Sequence, residues 1–124
     1  MKQILAIICA QSINRTREAL VSAGVTGFTV RKVLGRGKGN VDYRVLHAAE
    51  DGAVEAIAQL GDGPMLTPRR LVSVVVPEAR VAPVVQTIID ANRTNSAGDG
   101  KIFVLPVRET IRIRTGEKDA KALE

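Results

Sequence analysis

The sequence predicts an α+β sandwich: an antiparallel sheet with two helices on one face. Three observations predict it. Short apolar, β-branched runs recur along the chain, two of the intervening segments carry helical periodicity, and the two strand–helix–strand halves have similar length. At 124 residues, 45% apolar and 25% charged, the chain is expected to form one domain around one core.

Residues 3–9, "QILAIIC", read as a buried strand. Ser12 suits a helix N-cap. Ile13, Arg17, Leu20 and Ala23/Gly24 then follow at helical spacing, so a helix is expected near 13–23 with Gly24 at its C-terminal cap. "GFTVRKVLG", residues 27–35, alternates as a second strand would. Residues 36–68 change character, with a glycine-rich basic opening, a stretch able to form a short helical turn, and a proline at the end; a connection this long is functional, disordered or a solvated insertion. "RRLVSVVVP", 69–77, is the third strand. Val81, Val84, Val85, Ile88 and Ile89 define the clearest amphipathic helix, with Pro83 expected in its first turn. "KIFVLP", 101–106, is a fourth strand, and "TIRIRT", 110–115, alternates as a short fifth. The polar tail, about 117–124, is expected to be loosely ordered. This order is that of a split βαβ, ferredoxin-like sandwich. Strands this apolar in a short chain leave a second sheet face to cover, which predicts an oligomer.

Eighteen basic and thirteen acidic side chains give a net charge of +5, favouring anionic partners. Two Phe, one Tyr and no Trp offer few stacking platforms for a single-strand nucleic-acid binder. Cys9 is the only thiol and His47 the only histidine, which disfavours a multi-histidine metal site, a Cys/His nucleophile pair or an internal disulfide. His47 reads as a solvated side chain. The lone cysteine and the brevity of the N-terminal apolar run point to a cytoplasmic protein without membrane insertion.

Three cationic, glycine-rich or arginine-rich segments lie at strand ends. In "GDGK", Gly98, Asp99, Gly100 and Lys101, two glycines let backbone N–H groups converge on an anion and the lysine adds a point charge. No Ser or Thr follows Lys101 and a strand follows where a P-loop needs a helix, so the motif alone equally describes a hairpin turn. In "TIRIRT" a period-2 pleat would put Arg112 and Arg114 on one face, suited to an anion between them or to protecting a sheet edge. "GRGKG", residues 35–39, is the third. One polyanion, such as a nucleoside triphosphate, accounts for all three.

"TGFTVRKVLGRGKG", "VVPEARVAPVVQTII" and "GDGKIFVLPVRETIRIRTGE" together resemble the PII signal-transduction proteins, over nearly the whole chain outside residues 40–67. The resemblance implies a non-enzymatic homotrimer of ferredoxin-like subunits that binds ATP or ADP in intersubunit clefts, senses 2-oxoglutarate with Mg2+, and presses a mobile T-loop, here about 36–68, onto a target enzyme, transporter or regulator. It implies that Gly98, Asp99, Gly100 and Lys101 cradle the phosphates, that Arg112 and Arg114 of a neighbouring subunit complete the site, and that Thr29 lies on the adenine side. Gly35, Arg36 and Lys38 match the base of the T-loop, and Arg69 the lysine that pairs with oxoglutarate. Gly37 replaces the glutamine that helps to hold magnesium and 2-oxoglutarate, so of the positions matching that site, Gly37, Lys38 and Arg69, one lacks its side chain, and oxoglutarate sensing is either absent or uses another ligand set. Tyr43 has the wrong neighbours for the family's uridylylated tyrosine. "VLGRGK" and "VDY" before an extended loop resemble the nitrogenase-associated branch, which implies nitrogenase as the target. The alternatives are a general PII regulator of an ammonium transporter or metabolic enzyme, a small basic nucleic-acid-binding ferredoxin-like protein, and an acylphosphatase-like hydrolase, for which no positioned base or nucleophile is visible.

Overall fold

The computed structural model describes residues 1–36 and 66–123. Four strands, β1 (Lys2–Cys9), β2 (Thr29–Gly35), β3 (Thr67–Val76) and β4 (Gly100–Pro106), form one sheet in the order β2-β3-β1-β4, every neighbouring pair antiparallel. Helices α1 (Ile13–Ser22) and α2 (Glu78–Asn92) pack on one face, as the split βαβ pattern requires.

Strict alternation in β1 and β3 builds the core. Ile4, Ala6 and Ile8 from β1 meet Val72, Val74 and Val76 from β3, and Leu20, Val84 and Ile88 cap them from the helices. The stripe on α2 falls where its periodicity puts it. The stripe on α1 is narrow and excludes Arg17, which is exposed and donates to Asn14, while Thr16 is fully buried. Thr16 donates to the Ser12 carbonyl (2.8 Å) and accepts from Asn92 Nδ2 (2.9 Å), so a polar pair joins the two helices inside the core.

Caps and breakers match in part. Gly24 (φ +85°) follows the helix end with its N–H on Val21 O, and Val25 N–H reaches Leu20 O, the two bonds of a Schellman cap. Ser12 occupies the N-cap position of α1, but its hydroxyl accepts from Arg15 Nη2 (3.3 Å) and makes no capping bond, because a 3-10 turn over Ala10–Ser12 already precedes the helix. Pro83 lies inside α2, beyond the first turn where it was expected, because the helix begins at Glu78 directly after Pro77; the ring removes the N–H that would bond the Ala79 carbonyl.

"TIRIRT" does not join the sheet as a fifth strand. Ile111 makes a single bridge to Lys118, and the bonds Arg112 N–H to Glu117 O (2.9 Å) and Gly116 N–H to Arg112 O (2.7 Å) close a tight loop with Ile113 fully exposed. Alternation specifies a strand only where a neighbour offers a ladder; here the chain finds partners in its own tail. That tail, expected to be loose, forms a 3-10 turn over Asp119–Leu123, and Arg112 Nη2 donates to the Lys121 carbonyl (2.9 Å).

The sheet's second face carries Leu5, Ile7, Leu71 and Val75, half-buried, with Leu105 and Phe103 exposed, the latter 46%. Register sets Leu5 opposite both Ser73 and Phe103, and Ile7 opposite Leu71 and Lys101, so these side chains form one apolar surface with a lysine at its upper end. No helix among the described residues is long and apolar enough to cross a membrane.

Candidate functional site

Antiparallel pairing brings the C-terminal end of β1, the start of β3, the end of β2 and the start of β4 to the same end of the sheet. The candidate site residues Gly35, Arg69, Gly98, Asp99, Gly100 and Lys101 all lie there, though up to 66 positions apart in sequence.

The glycine loop is built by its backbone. Gly98 (φ +104°) and Gly100 (φ +126°) both occupy conformations that side-chain-bearing residues avoid. Gly100 is needed twice over, since a Cβ there would stand 2.1 Å from the Ile7 carbonyl oxygen. The loop thus presses directly against β1. Asp99 turns its carboxylate back into the preceding turn, accepting from Thr94 Oγ, from Thr94 N–H (2.7 Å) and from Ser96 N–H (3.4 Å). These bonds, led by the Thr94 hydroxyl, hold the Asp99 carboxyl below the usual aspartate range, against a small opposing effect of burial. The carboxylate therefore shapes the loop from within the preceding turn.

A stability contribution follows with a definite sign. Because the folded pKa is depressed, the contribution is complete above the ordinary aspartate value and is lost as pH falls through the folded one, below about pH 4. Asp99→Asn should flatten that acid limb of urea stability relative to wild type; superimposable pH profiles would refute the assignment.

Lys101 is exposed, shares the second sheet face with Ile7, and has no acidic partner among the described residues. Arg69 reaches the loop from β3. Its Nη1 donates to Gly98 O (2.6 Å) and to Cys9 Sγ (3.1 Å), and its Nε to Thr67 Oγ (3.3 Å). Cys9 in turn donates to Gly98 O (3.2 Å). Neither contact was legible in the sequence, because no spacing links residues 9, 69 and 98; only the strand order does.

Arg36 is exposed just beyond β2. Gly37, Lys38, Tyr43 and His47 lie outside the described residues, as does nearly all of the expected T-loop. Thr29 is not at this end. It pairs with Ser73, about 20 Å down β2 from Gly35 at the usual strand rise, and lines a cleft of about 560 Å³ with Gly27, Phe28, Arg80 and Leu123. Arg112 donates Nη1 to Glu117 Oε1 (3.1 Å) in the C-terminal loop, and Arg114 stands exposed two residues on. One chain therefore presents the candidate residues as two separate groups: the glycine loop with Arg69 and Gly35, and the Thr29 cleft bordered by the C-terminal turn.

Two glycines in the left-handed region stand beside a lysine without an acidic partner among the described residues, and the neighbouring carboxylate is folded into the preceding turn. No cluster of three His, Cys, Asp or Glu occurs among the described residues. The family model for the nitrogen regulatory protein P-II matches residues 1–117. The chain is 36% identical to the nitrogen fixation nifHD region GlnB-like protein 2 of Methanobacterium ivanovii, over 99% of each chain, and 41% identical to the protein of that name from Methanothermococcus thermolithotrophicus, over 94% of each. It is 39% identical to the nitrogen regulatory protein P-II of a Synechocystis strain, over 99% of this chain and all of that one. The chain belongs to the nitrogen regulatory protein P-II family, and its likeness to the nifHD-region proteins supports the nitrogenase-associated branch.

Proposed function

We propose that this protein is a non-enzymatic nitrogen-regulatory signalling protein of the cytoplasm. It binds ATP or ADP in clefts between the subunits of a homotrimer and controls a target protein, nitrogenase being the first candidate. The observation that carries the nucleotide reading is the loop Gly98–Lys101, whose two left-handed glycines, withdrawn Asp99 carboxylate and lysine without an acidic partner among the described residues fit a phosphate chain. Gly98, Gly100 and Lys101 would hold the phosphates, with Asp99 shaping the loop from behind. Thr29, some 20 Å away along β2, cannot line the same pocket of its own chain, which supports a cleft completed by a neighbour's Thr29, Arg112 and Arg114. Gly35, Arg36 and Lys38 stand where the T-loop leaves the sheet, and nucleotide binding would bias that loop through its differential affinity for two loop arrangements. Mg2+ would accompany the triphosphate. For 2-oxoglutarate, Arg69 keeps one guanidinium nitrogen, Nη2, without a hydrogen-bond partner among the described residues, while Gly37 supplies no side chain.

The trimer reading rests on the apolar second face of the sheet. Sedimentation should give a species of three times the 13.3 kDa chain, and Phe103→Asp, placing a charge among the exposed apolar side chains of that face on its edge strand, should shift it to the monomer. A variant that sediments like wild type would remove this face from the interface.

Calorimetric titration with ATP and ADP tests the nucleotide reading, and the absence of binding up to millimolar concentration would overturn it. Capture of partners from extract, with ATP, ADP and 2-oxoglutarate varied independently, tests the target. Nucleotide-dependent recovery of nitrogenase supports the reading, whereas recovery of an ammonium transporter instead shifts it to the general P-II role.

A further inference from the structure

Arg69 makes contacts that a simple carboxylate-pairing lysine would not make. One guanidinium bridges three chain segments far apart in sequence. Nη1 holds the Gly98 carbonyl at 2.6 Å, and Nε donates to Thr67 Oγ at 3.3 Å. The Thr67 hydroxyl in turn donates to the Gly35 carbonyl at 3.2 Å. Donor directions agree along the whole chain of bonds: the hydroxyl accepts once and donates once, so each bond polarises the next. Packing supports the same path. A Cβ on Gly35 would stand 3.4 Å from Arg69 Cγ, and one on Gly98 would stand 3.6 Å from Arg69 Nη2, so the side chain lies between two positions that carry no side chain. Arg69 has no carboxylate partner among the described residues; its charge is met by a carbonyl, a thiol and a hydroxyl.

We propose that Arg69, with Thr67 as its relay, is a positioning residue that ties the Gly98–Lys101 loop to the two strand ends bracketing residues 37–65. An anion drawn into the loop acts on the Gly98 backbone, the loop's only described link to Arg69. Displacement of Gly98 O then loosens or tightens the Arg69–Thr67–Gly35 bonds, so occupancy of the loop is felt where β2 ends and β3 begins. The coupling deepens the nucleotide reading above and rests on it for the identity of the anion. The tie itself does not depend on any ligand.

Amide hydrogen exchange on the full chain tests it, first without nucleotide. Thr67→Val keeps the shape of the side chain and removes only the relay hydroxyl. It should speed exchange at the amides of residues 94–101, on the order of tenfold, although Thr67 touches none of them. Thr67→Ser should restore wild-type rates, which separates loss of the hydroxyl from a folding defect. With ATP present, Thr67→Val should bind within about threefold of wild type yet lose most of the ATP-induced change in exchange at Gly35 and Thr67. Unchanged exchange at 94–101 in ligand-free Thr67→Val overturns the tie, and a full ATP response at the strand ends in that variant overturns the coupling. If wild type fails to bind ATP, the nucleotide reading falls while the ligand-free comparison still decides the tie.

Discussion

Gly100→Ala is expected to destabilise the protein by about 4 kcal/mol, near the top of the range for single substitutions. Two costs combine. The backbone at φ +126° is closed to alanine without strain, worth on the order of 1–3 kcal/mol. The added Cβ would also sit 2.1 Å from the Ile7 carbonyl oxygen, an atom of the central strand β1 that is paired on both sides and cannot withdraw. The neighbouring glycines provide internal controls. At Gly98 a Cβ meets only Arg69 Nη2, at an ordinary contact distance of 3.6 Å, and at Gly116 it meets nothing within 4 Å. Both should therefore pay the conformational cost alone. Urea denaturation of the three alanine variants should rank Gly100 well apart from the other two. A Gly100→Ala midpoint grouped with theirs would contradict the register of β4 on β1.

Lys101→Ala is expected to weaken ATP binding by roughly 10- to 100-fold, the weight of a charge-assisted contact to phosphate, while leaving stability unchanged. The side chain is exposed and has no acidic partner among the described residues, so its removal breaks nothing in the free protein. Lys101→Arg should recover part of the affinity, since the charge stays but its reach and geometry change. Calorimetry on the three proteins measures both points. Wild-type affinity in the alanine variant would move the phosphate site away from this loop even if ATP still binds.

The two predictions draw on different levels of the sequence. "GDGK" names the loop and its charge directly, yet nothing in those four letters reveals that Gly100 is wedged against β1; that follows from the pairing of β1 with β4. The central strands were legible because "QILAIIC" and "RRLVSVVVP" are short apolar, β-branched runs, and α2 because its apolar period is unbroken. "TIRIRT" misled for a physical reason. A two-residue period describes a hairpin arm as well as a sheet strand, and only the availability of a neighbour separates them. The turn signal was present in "RTGE", where Gly116 adopts φ +72° to let the chain double back. The Thr16–Asn92 pair and the Arg69 contacts were illegible because polar partners from distant segments leave no periodic trace. The motif names Asp99, but the direction of its carboxylate depends on Thr94 and Ser96, which the motif does not include.

The separation of Thr29 from the glycine loop bears on inheritance as well as on binding. If each cleft takes its loop from one copy and its Thr29 side from another, no cleft is the property of a single polypeptide. A chain damaged at Lys101 still lends a sound Thr29 surface to its neighbour, and a chain damaged on that surface still lends a sound loop. Two defective alleles expressed together would then rebuild some intact clefts that neither forms alone, whereas one defective allele beside a normal one would spoil clefts in which most of the atoms are wild type.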